Sequence, residues 1–146
     1  MKAQNKTRAK GYLVLKIWKG TELLETIKGE NLIVDLGLDI MAAAIGGTAG
    51  QNIVEYGAGT SGTSPASGDT SLTAPFVKVL DTVTFPSTGL VTFTFSMDNS
   101  EGNGATYQEW GLYCSAGPLF SRKTSTAIAK SSAIRIEGEW TISFHL

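Results

Sequence analysis

The chain has 146 residues, in which 12 Lys and Arg stand against 13 Asp and Glu, so its net charge is −1. This length fits one domain, and a nearly neutral chain has no overall attraction for nucleic acid or an anionic membrane. The single cysteine, Cys114, excludes an internal disulfide, and the sequence has neither a membrane-spanning run nor the apolar stretch of a secretory signal, so we expect a protein made in the cytosol.

The first ten residues, MKAQNKTRAK, form a basic segment with almost no apolar side chain. They include Lys2, Lys6, Arg8 and Lys10 and contain no acid. Such a segment buries too little surface to offset the entropy lost on ordering. We therefore predict a flexible arm over residues 1–10, followed by a single domain over residues 11–146. The four cations are the candidate partner-binding residues.

The predicted domain begins with two strands and continues into a short helix. Residues 12–18 and 23–28 have strand character and are separated by a turn signal. The segment DLGLDIMAAAI predicts a helix over about residues 35–45, with Asp35 as its N-cap and Gly46 and Gly47 at its end. Because this helix is apolar nearly all round, we expect it to be buried or sandwiched.

The remainder of the chain predicts short strands. Residues 90–97 (LVTFTFSM) alternate between apolar and polar side chains, and residues 134–146 carry apolar residues at every second position. Gly138 interrupts that last row, which indicates a bulge, a bend or the close approach of a neighbour. About eight strands with one inserted helix predict an all-β sandwich or barrel, and a jelly-roll-like β-sandwich is the leading interpretation.

Few residues are suited to catalysis or to binding a metal. The lone histidine, His145, stands beside the C-terminus, and the chain has only one cysteine. It therefore lacks the parts of a His-dependent nucleophile or a closed zinc site. The glycine-rich residues 57–63 follow a strand but lack the lysine of a phosphate-binding loop. Residues 98–101 (DNSE) offer oxygen ligands for a loosely bound calcium ion, but these residue types also suit a hairpin tip.

Glu109 lies in a strand of large residues. A small glycosidase would use it together with Glu137 or Glu139, although no spacing selects either pair. We expect Glu109 to form a structural ion pair with Arg122 or Lys130 instead. We therefore predict no catalytic residue, no metal and no cofactor.

The aromatic residues and the arm have alternative interpretations. Trp18, Trp110 and Trp140 lie in strand patterns, which favours burial in a core or an interface over a sugar-binding platform. The basic arm has no interleaved aromatic residues, and the domain carries no basic stripe. An acidic protein surface suits the arm as well as a nucleic acid does, and we predict no nucleic-acid partner.

Several short phrases resemble those of small structural proteins of tailed bacteriophages. They are NLIVDLGLD at residues 31–39, GTSGTSPASGDTSL at 59–72, EWGLY at 109–113, LFSR at 119–122 and EWTISF at 139–144. The series is similar both to tail-associated proteins and to the jelly-roll cement proteins that decorate capsids. This resemblance implies a jelly-roll-like fold, no cofactor and oligomeric attachment to the particle.

The leading hypothesis is a capsid cement or decoration protein without enzymatic activity. We expect it to be assembled in the host cytoplasm, to lie on the capsid exterior of the virion, and to bind the major capsid protein and itself, as a homodimer or homotrimer. One alternative is a tail or receptor-binding component that recognises a host surface glycan, which predicts exposed tryptophans. The other is the glycosidase, which requires two close carboxylates in a cleft.

Overall fold

The structure, a computed structural model, describes residues 8–145 and consists of nine strands and one short helix. The elements in chain order are β1 (Arg8–Lys19), β2 (Glu22–Ile33), α1 (Asp35–Ile45), β3 (Ile53–Gly59), β4 (Phe76–Val79), β5 (Thr82–Thr84), β6 (Leu90–Met97), β7 (Thr106–Cys114), β8 (Leu119–Ala129) and β9 (Arg135–His145). The prediction of an all-β sandwich with one inserted helix is confirmed, with nine strands in place of about eight.

The strands form one antiparallel sheet that curls back on itself. Its order is β4-β3-β7-β8-β2-β1-β9-β6-β5, so β4 and β5 stand at opposite ends. Only Leu80 and Asp81 separate these two strands in the chain. The amide of Leu80 donates to the Val54 carbonyl on β3, at 3.0 Å, and the amide of Asp81 donates to the Thr94 carbonyl on β6, at 2.8 Å. The two ends of the sheet are therefore neighbours, and the strands make two facing halves.

The core lies between the half made by β3, β7 and β8 and the half made by β1, β9 and β6. Alternate residues of each strand point into it, as the pleat requires. The largest fully buried side chains include Trp110, Trp140, Tyr56 and Phe95. The rings of Tyr56 and Phe95 come from opposite halves and stack with centroids 4.2 Å apart. The predicted inward row of β6 is confirmed, since Phe93, Phe95 and Met97 are all buried.

Gly138 marks a close approach of a neighbouring side chain. It pairs with Leu15 on β1 and Phe95 on β6, and neither ladder shows a shift of register. A Cβ at this position would overlap the ring of Phe95. Of the three explanations for the gap in the apolar row, the structure therefore selects this one.

The helix has the predicted bounds, but its first residue is not capped as predicted. The N-cap is Val34, without a side-chain cap bond, and Asp35 is already helical. The amide of Val34 donates to the Phe120 carbonyl and that of Asp35 to the Ser67 carbonyl. The amides of Gly37 and Leu38, which an Asp35 cap would have bound, both donate to the Val34 carbonyl instead. Gly47, with φ of 87°, ends the helix as predicted.

The expectation that the helix is buried all round is wrong. Gly37 packs against the Phe120 carbonyl of β8 and Ile40 reaches the core, whereas Leu38 is 52% exposed and Ile45 is 89% exposed. Only one side of α1 contacts the sandwich. An apolar sequence pattern indicates a side chain that is stabilised by burial. It does not indicate whether the same domain or another molecule buries that side chain.

The boundary between the predicted arm and the domain also differs. Strand β1 begins at Arg8, so Arg8 and Lys10 belong to the sheet, where they pair with His145 and Ser143 of β9. Lys2 and Lys6 lie outside the described residues. The strand starts early because β9 provides a ladder for residues 8–10, and the sequence pattern gave no sign of this distant pairing.

No helix among residues 8–145 is long and apolar enough to cross a membrane.

Candidate functional site

An apolar groove opens at the end of the sandwich that carries α1. It has a volume of about 430 Å³. Ile40, Met41 and Ala44 of α1 line one side, and Val83 and Phe144 are among the residues on the other. Among residues 8–145, none with a charged side chain lines the groove. The mouth between the two halves of the sheet therefore exposes apolar surface to solvent.

The rim of the groove carries large exposed side chains. Phe85 follows β5 and is 77% exposed. Leu38 and Ile45 stand three residues before and four residues after Met41, so the three share one stripe of α1, and Met41 is the member of this stripe that lines the groove. We call Leu38, Met41, Ile45, Val83, Phe85 and Phe144 together the apolar end surface.

Phe85 begins a short loop that is anchored at its other end. The loop comprises residues 85–89, and the amide of Phe144 donates to the Gly89 carbonyl at 2.8 Å. Gly89 has φ of 74°, and a Cβ there would lie 2.6 Å from the Phe144 carbonyl oxygen. Glycine is therefore required both for the left-handed turn and for the close contact with β9. This contact fixes the end of the loop at Gly89 against β9.

Such a surface is costly for a protein that stays alone in water. Each exposed Leu, Ile or Phe forgoes about 1.5–3 kcal/mol that full burial would contribute. Soluble monomers rarely expose contiguous apolar patches larger than a few hundred Å², and the largest such patch often binds a protein, a membrane or a ligand. The apolar end surface is therefore the candidate functional site of the described domain.

A buried ion pair forms a second cluster on the opposite side of strand β7 from the core. Glu109 and Arg122 are 1% and 4% exposed, and Oε1 of Glu109 accepts from Nε of Arg122 at 2.9 Å. Oε2 accepts from the backbone amides of Ser61 and Thr73, at 2.7 and 3.0 Å. A Cβ at Gly59 would lie 2.7 Å from Oε2, so glycine is needed beside the carboxylate. The predicted pairing of Glu109 with Arg122 is confirmed.

The same arginine fastens the Gly/Ser/Thr-rich loop to the sheet. Its two terminal nitrogens donate to Oδ2 of Asp69 at 3.0 Å and to the Thr63 carbonyl at 2.8 Å. Asp69 also accepts from the amide of Ala66. Leu72 of this loop is buried in a small second core with Val34 and Leu119. A segment with the composition of a mobile loop is thus tied to the sheet by charge-assisted hydrogen bonds.

Lys130, the other predicted partner of Glu109, has a different environment. Its ammonium donates to Oδ1 of Asn103 at 2.7 Å and to the Ser131 carbonyl at 3.1 Å. Burial lowers the pKa of Lys130. This lysine therefore fastens the turn after β6 and takes no part in the ion pair.

Glu109 has no access to a substrate. Both of its oxygens are occupied, and the loop of residues 60–73 covers it. Glu137 and Glu139 alternate with buried Ile136 and Trp140, so they face outward from the other half of the sandwich. The two facing carboxylates that the glycosidase alternative requires are therefore not formed by Glu109 with either residue.

A polar groove of about 500 Å³ lies on that outer face, across β1, β9 and β6. Its lining carries both signs of charge, including Lys16, Arg135, Asp98 and Glu139. Arg135 is already paired with Glu137 and also lies 5.3 Å from the centre of the Trp18 ring. Two cations, Lys16 and Arg135, stand against four carboxylates, those of Asp81, Asp98, Glu137 and Glu139, so the lining of this groove is acidic on balance.

The turn at residues 98–101 is closed by its own hydrogen bonds. Oδ1 of Asp98 accepts from the amide and the hydroxyl of Ser100, at 2.8 and 2.7 Å, and these bonds lower the pKa of Asp98. Oε1 of Glu101 accepts from the Asp98 amide and from Lys78. Across residues 8–145, no group of three or more His, Cys, Asp or Glu side chains could hold a metal ion.

The three tryptophans do not form a platform. Trp110 and Trp140 are fully buried in the core, as expected, and Trp18 is half-buried beneath Arg135. The exposed tryptophans that the glycan-recognition alternative predicts are therefore missing at these three positions. The large exposed aromatic side chain of the groove is Phe85, which the sequence did not single out because it lies in an unpatterned stretch before Pro86.

Comparisons of the chain with protein-family models, with curated proteins and with solved structures find no match. The resemblance to phage structural proteins therefore stays a prediction from the quoted phrases. The geometry itself shows an uncharged, concave, apolar surface on a β-sandwich.

Proposed function

We propose that the protein is a non-enzymatic decoration protein of a tailed-phage capsid, which binds the outer shell as an oligomer and stabilises contacts between major capsid subunits. The apolar end surface is the observation that carries the contact function. Its exposed side chains gain free energy only when another macromolecule covers them. The phage-like phrases between residues 31 and 144 supply the choice of particle.

The accessible chemistry supports binding over catalysis. Among the described residues, the buried carboxylate is that of Glu109, and both of its oxygens already accept hydrogen bonds, three in total. Arg122 ties the long loop to the sheet, and the Tyr56–Phe95 stack joins the two halves. A rigid domain loses little conformational entropy when it binds, which favours a permanent structural contact.

The start of strand β1 lies beside the apolar end surface. Ala9 pairs with Phe144, one of the members of that surface, and Arg8 and Lys10 flank it on the same strand. Residues 1–7, with Lys2 and Lys6, continue from this point. An acidic shell surface would attract the basic residues of this strand end.

A decoration protein of this kind acts by mass action. If it binds the mature shell and not the dissociated subunits, it stabilises the shell by RT ln(1 + [L]/Kd), about 2.7 kcal/mol per site at a hundredfold excess over Kd. Many equivalent sites on one particle multiply this effect without any chemical step.

Binding to shells tests the proposal directly. Purified protein is mixed with empty capsids of the phage whose genome encodes the chain, and the particles are imaged by cryo-electron microscopy. We expect symmetric extra density on the shell exterior, and a truncated protein without residues 1–7 should bind more weakly. That truncation keeps β1 whole, because the strand begins at Arg8. Bare shells, or density confined to the tail, would overturn the capsid assignment, and the second result would favour the tail component.

A further inference from the structure

We infer that the apolar end surface is covered by a second copy of this chain, in a dimer with two-fold symmetry. This inference deepens the proposed function and rests on it for its biological role. It concerns the partner that covers that surface. The basic residues at the start of β1 remain the proposed contact with the shell.

The first argument is the absence of charge in the groove. At a two-fold axis, a residue near the axis meets the same residue of the partner. Charged patches of the same sign on the two copies would repel each other there, whereas uncharged apolar patches are stabilised by burial on both copies. Among the residues of the structure, those lining the groove are apolar or, as with Gln51 and Asn52, neutral and polar. This composition suits self-association better than it suits an acidic or basic partner.

The second argument is that the surface is complementary to itself. It contains both a protrusion, the 77% exposed side chain of Phe85, and a groove of about 430 Å³ beside it. A two-fold axis between two copies presents the Phe85 of each to the groove of the other. One set of contacts is then made twice, and neither protrusion remains in water.

The third argument is the free edge of strand β5 at the same place. On one side β5 pairs with β6, through Thr82–Thr94, Val83–Phe93 and Thr84–Thr92. In the described chain no strand pairs with its other side. Antiparallel pairing of β5 with the β5 of a second copy is itself a two-fold arrangement.

The exposed apolar area is more than half of what a stable dimer interface needs. From their exposed fractions, the five exposed side chains of the apolar end surface present roughly 500 Å² of apolar area, if a large side chain offers about 150–250 Å². A standard stable interface buries ~800 Å² per partner, and the flanking backbone and polar groups would supply the remainder.

Solution mass and matched lysine variants test the inference without any capsid. The full chain is measured by sedimentation equilibrium from about 1 µM to about 500 µM. We expect a monomer–dimer equilibrium that reaches twice the 15.4 kDa of the chain. Phe85→Lys and Ile45→Lys each place two charges in the interface of one dimer, and each should raise the dissociation constant by roughly 100-fold.

Leu24→Lys is the matched control. Leu24 is 47% exposed on β2, near the hairpin between β1 and β2, at the opposite end of β1 from Ala9 and Phe144. This variant should leave the dissociation constant unchanged, and all three variants should retain the β-sheet circular dichroism of the parent.

Three results would overturn the inference: a monomer over the whole concentration range, a trimer, or equal effects of Leu24→Lys and Phe85→Lys. A monomer whose shell binding is abolished by Phe85→Lys would assign the surface to the shell protein. A dimer that binds no shell would retain this inference and remove the proposed function, so the two failures are distinguishable.

Discussion

The carboxylate of Glu109 and the guanidinium of Arg122 lie 2.9 Å apart in an ion pair from which solvent is almost excluded. Around it, the loop of residues 60–73 contributes two amides and a carbonyl, and Asp69 contributes a second carboxylate. The pair therefore joins strands β7 and β8 to a loop that has no regular structure of its own.

Glu109→Gln should lower the free energy of unfolding by about 3–5 kcal/mol, because it leaves the guanidinium of Arg122 buried without its nearest counter-charge. The measurement is urea denaturation followed by tryptophan fluorescence. Glu137→Gln is the control, since Glu137 pairs with Arg135 at the surface, where such a pair contributes about 0–1 kcal/mol. Equal losses in the two variants would contradict a special role for the buried pair.

Gly138→Ala should lower the free energy of unfolding by about 1–3 kcal/mol, because the added methyl group overlaps the ring of Phe95. The same ring stacks on Tyr56 across the core and has little room to move. Phe95→Leu removes that overlap at its own cost in packing. In a double-mutant cycle we expect Gly138→Ala to cost less in the Phe95→Leu background. Strict additivity would show that the two positions do not clash.

Replacement by alanine should change the free energy of unfolding differently at the two glycines after α1. Gly47 has φ of 87° and a Cβ there meets nothing, so Gly47→Ala should cost about 1 kcal/mol through backbone strain alone. Gly46 has φ of −76° and ordinary contacts, so Gly46→Ala should be neutral or stabilise by about 0.4–1 kcal/mol. Thermal unfolding of the two variants side by side measures the difference. A loss in Gly46→Ala as large as that in Gly47→Ala would contradict the assignment of the C-cap.

Asp98 should titrate below its usual pKa of 3.8, because the hydroxyl and the amide of Ser100 donate to its ionised form. Ser100→Ala removes the hydroxyl bond and should raise the pKa of Asp98, as measured by NMR titration of the carboxyl carbon. A pKa lowered by folding stabilises the protein above the unfolded value, and this stabilisation is lost as the pH falls through the folded value. The stability difference between the parent and Asp98→Asn should therefore shrink below about pH 4. An unchanged pKa in Ser100→Ala would show that the amide bond alone is responsible.

Local sequence patterns were sufficient to predict two kinds of element. These are elements whose signals lie close together in the sequence and strands with a regular alternation of apolar and polar residues. The bounds of α1 follow from its apolar run and the two glycines after it, and the inward face of β6 follows from alternation. The pairing of Glu109 with Arg122 could be anticipated because a carboxylate in a strand of large residues requires a counter-charge.

Features that depend on distant chain segments could not be read from these patterns. The amides of Val34 and Asp35, where α1 begins, are satisfied by the carbonyls of residues 120 and 67. The early start of β1 depends on β9, at the other end of the chain. The exposure of Leu38 and Ile45 was missed for a different reason, since an apolar side chain looks the same in a sequence whether its own domain or a second molecule covers it.

The corner at Leu80 and Asp81 has a mechanical consequence. The amides of these two consecutive residues donate hydrogen bonds to opposite halves of the sandwich. Because an extended residue spans at most about 3.3–3.6 Å, the connection between the two bonds cannot lengthen. A force that slides one half past the other must stretch this connection at once, before the ladders elsewhere begin to shear. Load applied to one half passes through the corner into the other, and a domain pulled by neighbours on both sides would resist as one unit.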